Sequence, residues 1–398
     1  MKTPLLHRRT FLQCAALSGA SWMLPRLVLA DADTDARFVL VILRGALDGL
    51  AAVPAYGDGN YASRRGALAI TSPAYKLDGM FALNPALAQL HARYQAKELV
   101  VFHAVASPYR ERSHFDGQDW LENGAGTSAG IHDGWLNRML PALPLARNRP
   151  TEEIAVAVAQ NVPLVLRGDA RVNSWAPSQL PDADSDTLER IADLYAADPQ
   201  LSSRLHAALT ANNMVTEGMT NDARNPAGQF NGLASAAGKL LAGNGSRIAV
   251  MDVNGWDTHA NQGAEVGQLA NRLRGLDQGL DTLRTTLGPV WNRTAVLVVT
   301  EFGRTVAVNG TRGTDHGTAT CAFLLGGAVA GGRVISDWPG LASHELYQGR
   351  DLQPTLDLRS VSKGVLASHL AVTKRDLEER VFPDSRTARP LEGLIRKA

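Results

Sequence analysis

Five short segments of the sequence concentrate groups that could do chemistry. They are Arg44-Gly45-Ala46-Leu47-Asp48-Gly49; Ser107 to Asp116, with Arg110, Arg112, Ser113 and His114; Asn254-Gly255-Trp256-Asp257-Thr258-His259; Glu301-Phe302-Gly303-Arg304; and Gly313-Thr314-Asp315-His316-Gly317. Asp48, His114, Asp257, His259, Glu301, Asp315 and His316 offer carboxylate oxygens and imidazole nitrogens without a thiolate. That donor set suits zinc, manganese, magnesium or calcium better than copper or an iron–sulfur cluster. Asp257 and His259, two residues apart, can reach one centre from a single loop. Ser113 stands where a helix is expected to begin. A capping role would account for it fully, but helix amides and a nearby cation would equally stabilise a serine alkoxide or an anionic ester oxygen. Arg304, with Arg110 or Arg112, supplies the forked donors that clamp a phosphate or sulfate. Taken singly, each acid reads as a cap or turn residue and each histidine as a hydrogen-bonded loop residue. Their shared placement is what argues for a site.

That placement comes from the elements between them. Continuous apolar, β-branched runs predict buried strands over Phe38 to Leu43, Leu99 to Val105, Ile154 to Ala157, Ile248 to Val253 and Ala295 to Thr300, with a sixth over Cys321 to Leu325. Apolar character on both faces is the pattern of a parallel sheet covered by helices. Each polar segment follows one of these strands or the loop beyond it, where open parallel sheets gather their ligand groups. Asn84-Pro85 reads as the cap and first turn of a helix through about Gln95. From Val266, the leucines 269, 273, 276, 280, 283 and 287 recur every three or four residues, one face of a long amphipathic helix. A helix is also expected around Ser360 to Leu370. Strand character is lost between about 181 and 245, which reads as a helical insertion on an α/β core. His103 and Cys321 lie inside apolar runs and read as core residues.

The first 30 residues have a different character. A basic start with Lys2, Arg8 and Arg9, an apolar stretch from Cys14 to Leu24 and a small-residue exit at Val28-Leu29-Ala30 form a secretory signal. Within it, Arg8-Arg9-Thr10-Phe11-Leu12 resembles the twin-arginine address, which implies recognition by the twin-arginine translocase, passage in the folded state and a periplasmic or envelope location. The apolar stretch is short of the roughly 18 residues that span a bilayer, so no permanent membrane anchor is expected. Without the four basic residues of this segment, the chain holds 36 basic and 39 acidic residues. That balance excludes a nucleic-acid partner recognised by charge. Only Cys321 then remains, so no internal disulfide forms. Neither a dinucleotide glycine fingerprint nor a haem or iron–sulfur cysteine motif is present, which ranks an oxidoreductase last.

Taken as a set, Arg44-Gly-Ala-Leu-Asp-Gly, Arg112-Ser-His-Phe-Asp, Gly255-Trp-Asp-Thr-His, Thr300-Glu-Phe-Gly-Arg, Thr314-Asp-His-Gly and Asp357-Leu-Arg-Ser resemble the bacterial family called domain of unknown function 1501 (DUF1501). The resemblance runs through nearly all of residues 31–398. It implies an alkaline-phosphatase-like α/β sandwich with a mostly parallel central sheet, and a metal-dependent hydrolase acting on an anionic phosphate or sulfate ester. It also implies Asp48, Asp257, His259, Glu301 and His316 as metal ligands and Ser113 as nucleophile. The chain departs from the phosphatase pattern at three places. Asp257 and His259 are closer together, Glu301 is followed by Phe302 rather than histidine, and no cysteine stands at the nucleophile position. Two metals, one metal, a vestigial site, and a water in place of Ser113 all stay open, as does a non-catalytic envelope protein on the same scaffold.

Overall fold

The six predicted strands lie side by side in one sheet. The computed structural model describes residues 35–125, 131–144, 154–176, 185–199, 201–203, 205–206, 209, 226–243 and 245–397. The expected signal at 1–30 and part of the expected insertion at about 181–245 lie outside the described residues. The strands are β1 Arg37–Arg44, β2 Tyr75–Lys76, β3 Ala82–Leu83, β4 Leu99–Ala106, β5 Ala155–Val158, β6 Asn173–Trp175, β7 Ile248–Asn254, β8 Thr294–Val299, β9 Thr320–Leu325, β10 Arg333–Ile335 and β11 Leu356–Asp357. The main sheet has the order β10-β4-β9-β8-β1-β7-β5-β6, with β11 also on β4, while β2 and β3 form a separate hairpin. All pairings in the main sheet are parallel except those of β9, which runs against both β4 and β8. The reversal has a consequence for function. A parallel crossover would carry the chain back across a sheet face, but here the β8–β9 connection stays at the edge where the other strands end. It holds Glu301, Arg304, Asp315 and His316 there.

The helices are α1 Gly49–Ala52, α2 Tyr61–Arg65, α3 Ala88–Gln95, α4 His114–Asn123, α5 Trp135–Met139, α6 Ser185–Tyr195, α7 Pro226–Ala242, α8 Gln268–Leu287, α9 Leu358–Leu370 and the short α10 Lys374–Asp376. Side chains alternate along β1 as a pleated strand requires. Val39, Val41 and Leu43 enter a core shared with the apolar faces of α3, α7 and α8. Phe38, Leu40 and Ile42 enter a second core with α5 and α9. The architecture is therefore a three-layer α/β sandwich around a mostly parallel sheet.

All six leucines of the predicted stripe on α8 are buried, but Val266 precedes the helix and is exposed. Gly279 lets α7 and α8 approach closely: a β-carbon there would lie 2.2 Å from the Phe230 ring. α7 thus belongs to a core helical layer, although its sequence falls within the stretch expected to be an insertion. The expected start of α3 is also corrected. The helix begins at Ala88, and the Asn84 side chain instead donates to Ala51 O and Ala264 O and accepts from Ala86 N. The first-turn amides of α3 are capped from across the core, where Asp277 of α8 accepts from Gln89 N at 2.9 Å and Leu90 N at 2.8 Å. No helix among the described residues is long and apolar enough to cross a membrane.

Candidate metal centre

Three histidines and one aspartate meet above the strand ends. His114 opens α4 beyond β4, Asp257 and His259 follow β7, and His316 comes from the β8–β9 connection. The Nε2 atoms of His114 and His316 are 3.0 Å apart, as are those of His259 and His316. The Asp257 carboxylate lies 2.9 Å from His259 Nε2, 3.3 Å from His316 Nε2 and 3.4 Å from His114 Nε2. Donor atoms of His114, Asp257 and His316 all fall within 4.8 Å of one another.

The opposite ring nitrogens determine what these Nε2 atoms carry. His316 Nδ1 faces the Arg112 carbonyl at 2.9 Å, and that oxygen only accepts. His114 Nδ1 faces Glu301 at 2.8 Å, and His259 Nδ1 faces Asp315 at 3.2 Å. In a neutral ring, an Nδ1 placed against such an acceptor holds the proton and leaves Nε2 to present a lone pair. Nε2 lone pairs and a carboxylate gathered this closely repel one another unless a proton or a metal cation lies between them. A tetrahedral ion with bonds of about 2.0–2.1 Å sets its donors about 3.3–3.4 Å apart, near the 3.0 Å between the His114 and His316 Nε2 atoms and the 3.4 and 3.3 Å from these to the Asp257 carboxylate. The residues present fit a divalent metal, and the Nδ1 acceptors are the supports that histidine ligands characteristically use.

The other predicted donors stand one step back. Glu301 is buried; its Oε1 accepts from His114 Nδ1, from Gly45 N at 2.8 Å and from Gln118 Nε2 at 3.2 Å, and its Oε2 accepts from Thr300 Oγ1 at 2.9 Å. Burial pushes its pKa up, but the donated bonds outweigh this and hold it below the usual range. Gly45 can approach because it has no side chain: at φ +116 a β-carbon would lie 2.7 Å from Asp257 N. Asp315 supports His259 and accepts from Asn309 at 3.0 Å, a bond that chiefly lowers its pKa. Asp48 does not reach the histidine cluster. It caps α1 through Ala51 N, pairs with Arg65 at 2.6 Å and accepts from Gln262 at 2.7 Å, all in a buried setting.

The arginines are likewise engaged. Arg304 is buried under Asp257, bonded to its carboxylate and to Thr314, so its guanidinium fixes Asp257 rather than facing a substrate. Burial raises the Asp257 pKa, but Arg304 and the histidines pull it below the usual range. Arg112 adopts φ +65, an uncommon conformation for a residue with a side chain. Its guanidinium pairs with Asp351 at 2.8 Å and Gln348 at 2.7 Å, while its carbonyl holds His316. Arg110 bonds to the carbonyls of Ser107 and Tyr109. Ser113 occupies the position before α4, but its side chain makes no capping bond; its backbone N–H donates to Tyr109 Oη at 2.8 Å. Phe302, at the position where histidine is common, stacks beneath the His114 ring with centroids 5.0 Å apart.

Glu301 raises the pKa of His114 through its hydrogen bond, whereas burial lowers that of His316. Gln118, Thr300, Thr314 and Gln262 carried no assigned role in the sequence because neutral polar residues give no signal of their own. Only Gln118 offered a clue, lying one helical turn after His114. Thr258 and Thr314 both donate to Gln262 Oε1 at 2.8 Å, which ties the Asp257 loop, the His316 loop and Asp48 into one network. His103, as expected, is a core residue. Its Nε2 lies 3.0 Å from Val53 O, and burial lowers its pKa to about 4. Cys321 is buried, which raises its thiol pKa.

Comparison with known proteins places the sequence with the family described as "Protein of unknown function (DUF1501)", which matches residues 97–382. No curated protein matches it. Among solved structures, it is similar to a protein in the alkaline phosphatase superfamily from Vibrio parahaemolyticus, at 11% identity and a TM-score of 0.42, over 97% of this chain and 80% of that one. It is also similar to the phosphonate monoester hydrolase of Agrobacterium radiobacter, at 12% identity and a TM-score of 0.35, over 85% and 74%. A third is the lipooligosaccharide phosphoethanolamine transferase A of Neisseria meningitidis, at 12% identity and a TM-score of 0.37, over 94% and 65%.

Proposed function

The chain belongs to the DUF1501 family, and from that premise we propose that it is a metal-dependent hydrolase of phosphate or sulfate esters, exported through the twin-arginine pathway. The observation that carries this reading is the convergence of His114, His259, His316 and Asp257, with each imidazole held by its other nitrogen. Three nitrogens and one carboxylate favour zinc or a similar borderline ion over calcium and magnesium, which prefer all-oxygen sets. When bound, such an ion supplies a Lewis acid that polarises an ester oxygen and activates an oxygen nucleophile.

The chain's own residues set the rest of the chemistry. His114, His259, His316 and Asp257 would hold the ion, and Glu301, Asp315 and the Arg112 carbonyl keep the three lone pairs aimed at it. Arg304 prevents the partly exposed Asp257 from swinging away. Ser113 leaves a hydroxyl uncommitted at the start of α4, where first-turn amides favour negative charge. It is the candidate nucleophile, with water as the alternative. Arg112 and Arg350 both pair with the single acid Asp351, so this rim carries excess positive charge that suits an anionic ester.

The test is elemental analysis of the purified protein, followed by assays with aryl phosphates and aryl sulfates before and after chelation. One metal per chain and turnover abolished by chelation are expected. Ser113→Ala separates the nucleophiles, since loss of about 10²-fold or more in kcat fits serine and a small change fits water. Stoichiometric metal without turnover of any ester would instead favour a non-catalytic envelope protein.

A further inference from the structure

Beside the histidine centre lies a second cavity, of about 290 Å³. One wall is a face of α4, where Phe115, Gln118 and Glu122 recur at helical spacing. The floor is Arg44 and Asp252, near the ends of β1 and β7, and residues 161–167 close the far side. Gln118 belongs to both sites: its Nε2 donates to Glu301, the support of His114, and its Oε1 accepts from Arg44 at 2.9 Å. A group bound in this cavity would therefore sit one side chain away from the centre. The volume is near the lower end of the roughly 300–1,000 Å³ of ligand pockets, enough for one ring-sized group.

The lining chemistry narrows the occupant. Arg44 is fixed between Glu122 at 2.7 Å and Asp252 at 3.0 Å, and Glu122 also accepts from Val165 N at 3.0 Å. These carboxylates keep lone pairs beyond the bonds they already accept, so the floor presents immobilised acceptors beside a guanidinium. An aryl or acyl group would strip water from this ion triad without replacing its hydrogen bonds. Charges of both signs, with Asp119 and Arg167 added at the rim, give neither a simple anion nor a simple cation a matched partner. Hydroxyl groups both donate and accept, which suits such a floor. Phe115 is 86% exposed at the cavity mouth, an aromatic face that folding leaves open.

We propose that this cavity binds a neutral polyhydroxylated ring, a sugar or cyclitol, and that this ring is the alcohol part of the ester presented to the histidine centre. The second half rests on the hydrolase reading above; ring binding itself does not. Arg44, Glu122 and Asp252 hydrogen-bond the hydroxyls, while Phe115 packs against the C–H face.

Ligand-observed NMR on the full chain, with and without chelator, tests the binding. The probes are methyl hexopyranosides, myo-inositol and cyclohexylammonium, and the proteins are wild type, Phe115→Ala and Phe115→Trp. Because Phe115 is exposed, both variants should fold. Expected are hexoside or inositol binding that persists under chelation, weakens about five- to tenfold in Phe115→Ala and returns in Phe115→Trp. No polyol binding, equal binding to Phe115→Ala, or preference for the ammonium probe would overturn the proposal. Turnover of aryl esters alongside absent polyol binding would sink the cavity assignment and leave the hydrolase standing. Polyol binding without turnover of any ester would do the reverse.

Discussion

Replacing Glu301 by glutamine isolates the contribution of an outer support to the proposed metal centre. The glutamine carbonyl can occupy the Oε1 position and keep the three donors there, His114 Nδ1, Gly45 N and Gln118 Nε2. Its amide then faces Thr300 Oγ1, which can accept while turning its own proton to Leu43 O, 2.6 Å away. Every hydrogen bond has a successor, so only the negative charge is removed and stability should change by less than about 1 kcal/mol. Metal affinity should fall by about 10–100-fold, or about 1.4–2.7 kcal/mol, because His114 loses the carboxylate that makes it a more basic ligand. Glu301→Ala is the poorer experiment. It would strand several buried donors at about 1–3 kcal/mol each and mix folding with binding. The assay is competition for zinc with a chromophoric chelator near neutral pH, with circular dichroism melts as the folding control. NMR titration of the metal-free protein adds a second readout, since the main cause of the raised His114 pKa is its bond to Glu301 and that pKa should fall in the variant. Unchanged zinc affinity in a folded variant would refute the supporting role of Glu301.

Asp48→Ala should behave in the opposite way. It leaves Arg65 without its buried carboxylate and should destabilise the fold by about 3–5 kcal/mol in urea, while the folded fraction keeps its full metal content. Loss of metal from folded protein would return Asp48 to the ligand set. His103 yields a pH signature whose sign is fixed. Burial lowers its folded pKa to about 4, so as pH falls from about 6.5 the unfolded chain takes up a proton that the folded chain refuses. Stability should fall by about 1.4 kcal/mol per pH unit through that window, about 3 kcal/mol in all, and be regained as pH rises. His103→Gln should flatten this part of the profile in urea unfolding between pH 4 and 7; an unaltered slope would contradict the assignment.

The strands were legible because burial on both faces writes continuous apolar runs, and all six predicted runs lie in the main sheet. Shorter strands were not. Arg333–Ile335, Asn173–Trp175 and Leu356–Asp357 are two or three residues long, too short to write a pattern, and the first and last pair with β4, remote in sequence. Helix starts failed for a related reason. Asn84-Pro85 has local capping chemistry, yet α3 is capped by Asp277, nearly 190 residues away. The side on which α7 packs was equally hidden, because a small residue such as Gly279 marks a close helix contact only once its partner is known.

The candidate site was legible as a set of chemical groups but not as an arrangement of them. Asp48 and Asp257 both follow strands and carry the same carboxylate. What separates them is Arg65, whose buried guanidinium claims the first, and Arg304, which leaves part of the second facing the histidines. Glu301 and Asp315 looked like ligands because a carboxylate that coordinates an ion and one that orients an imidazole are the same residue type. The histidines resolve the ambiguity, because each has two nitrogens, one held by its own separate acceptor and the other turned toward the shared Asp257 carboxylate. Glu301, Asp315 and the Arg112 carbonyl engage Nδ1 in all three, so the atom left for the shared site is Nε2 every time, and all three gather about Asp257. Chance turn histidines would have no reason to share either the nitrogen left free or its direction. That common orientation is what supports reading the cluster as a metal centre, and it depends as much on a backbone carbonyl at a left-handed arginine as on any acid.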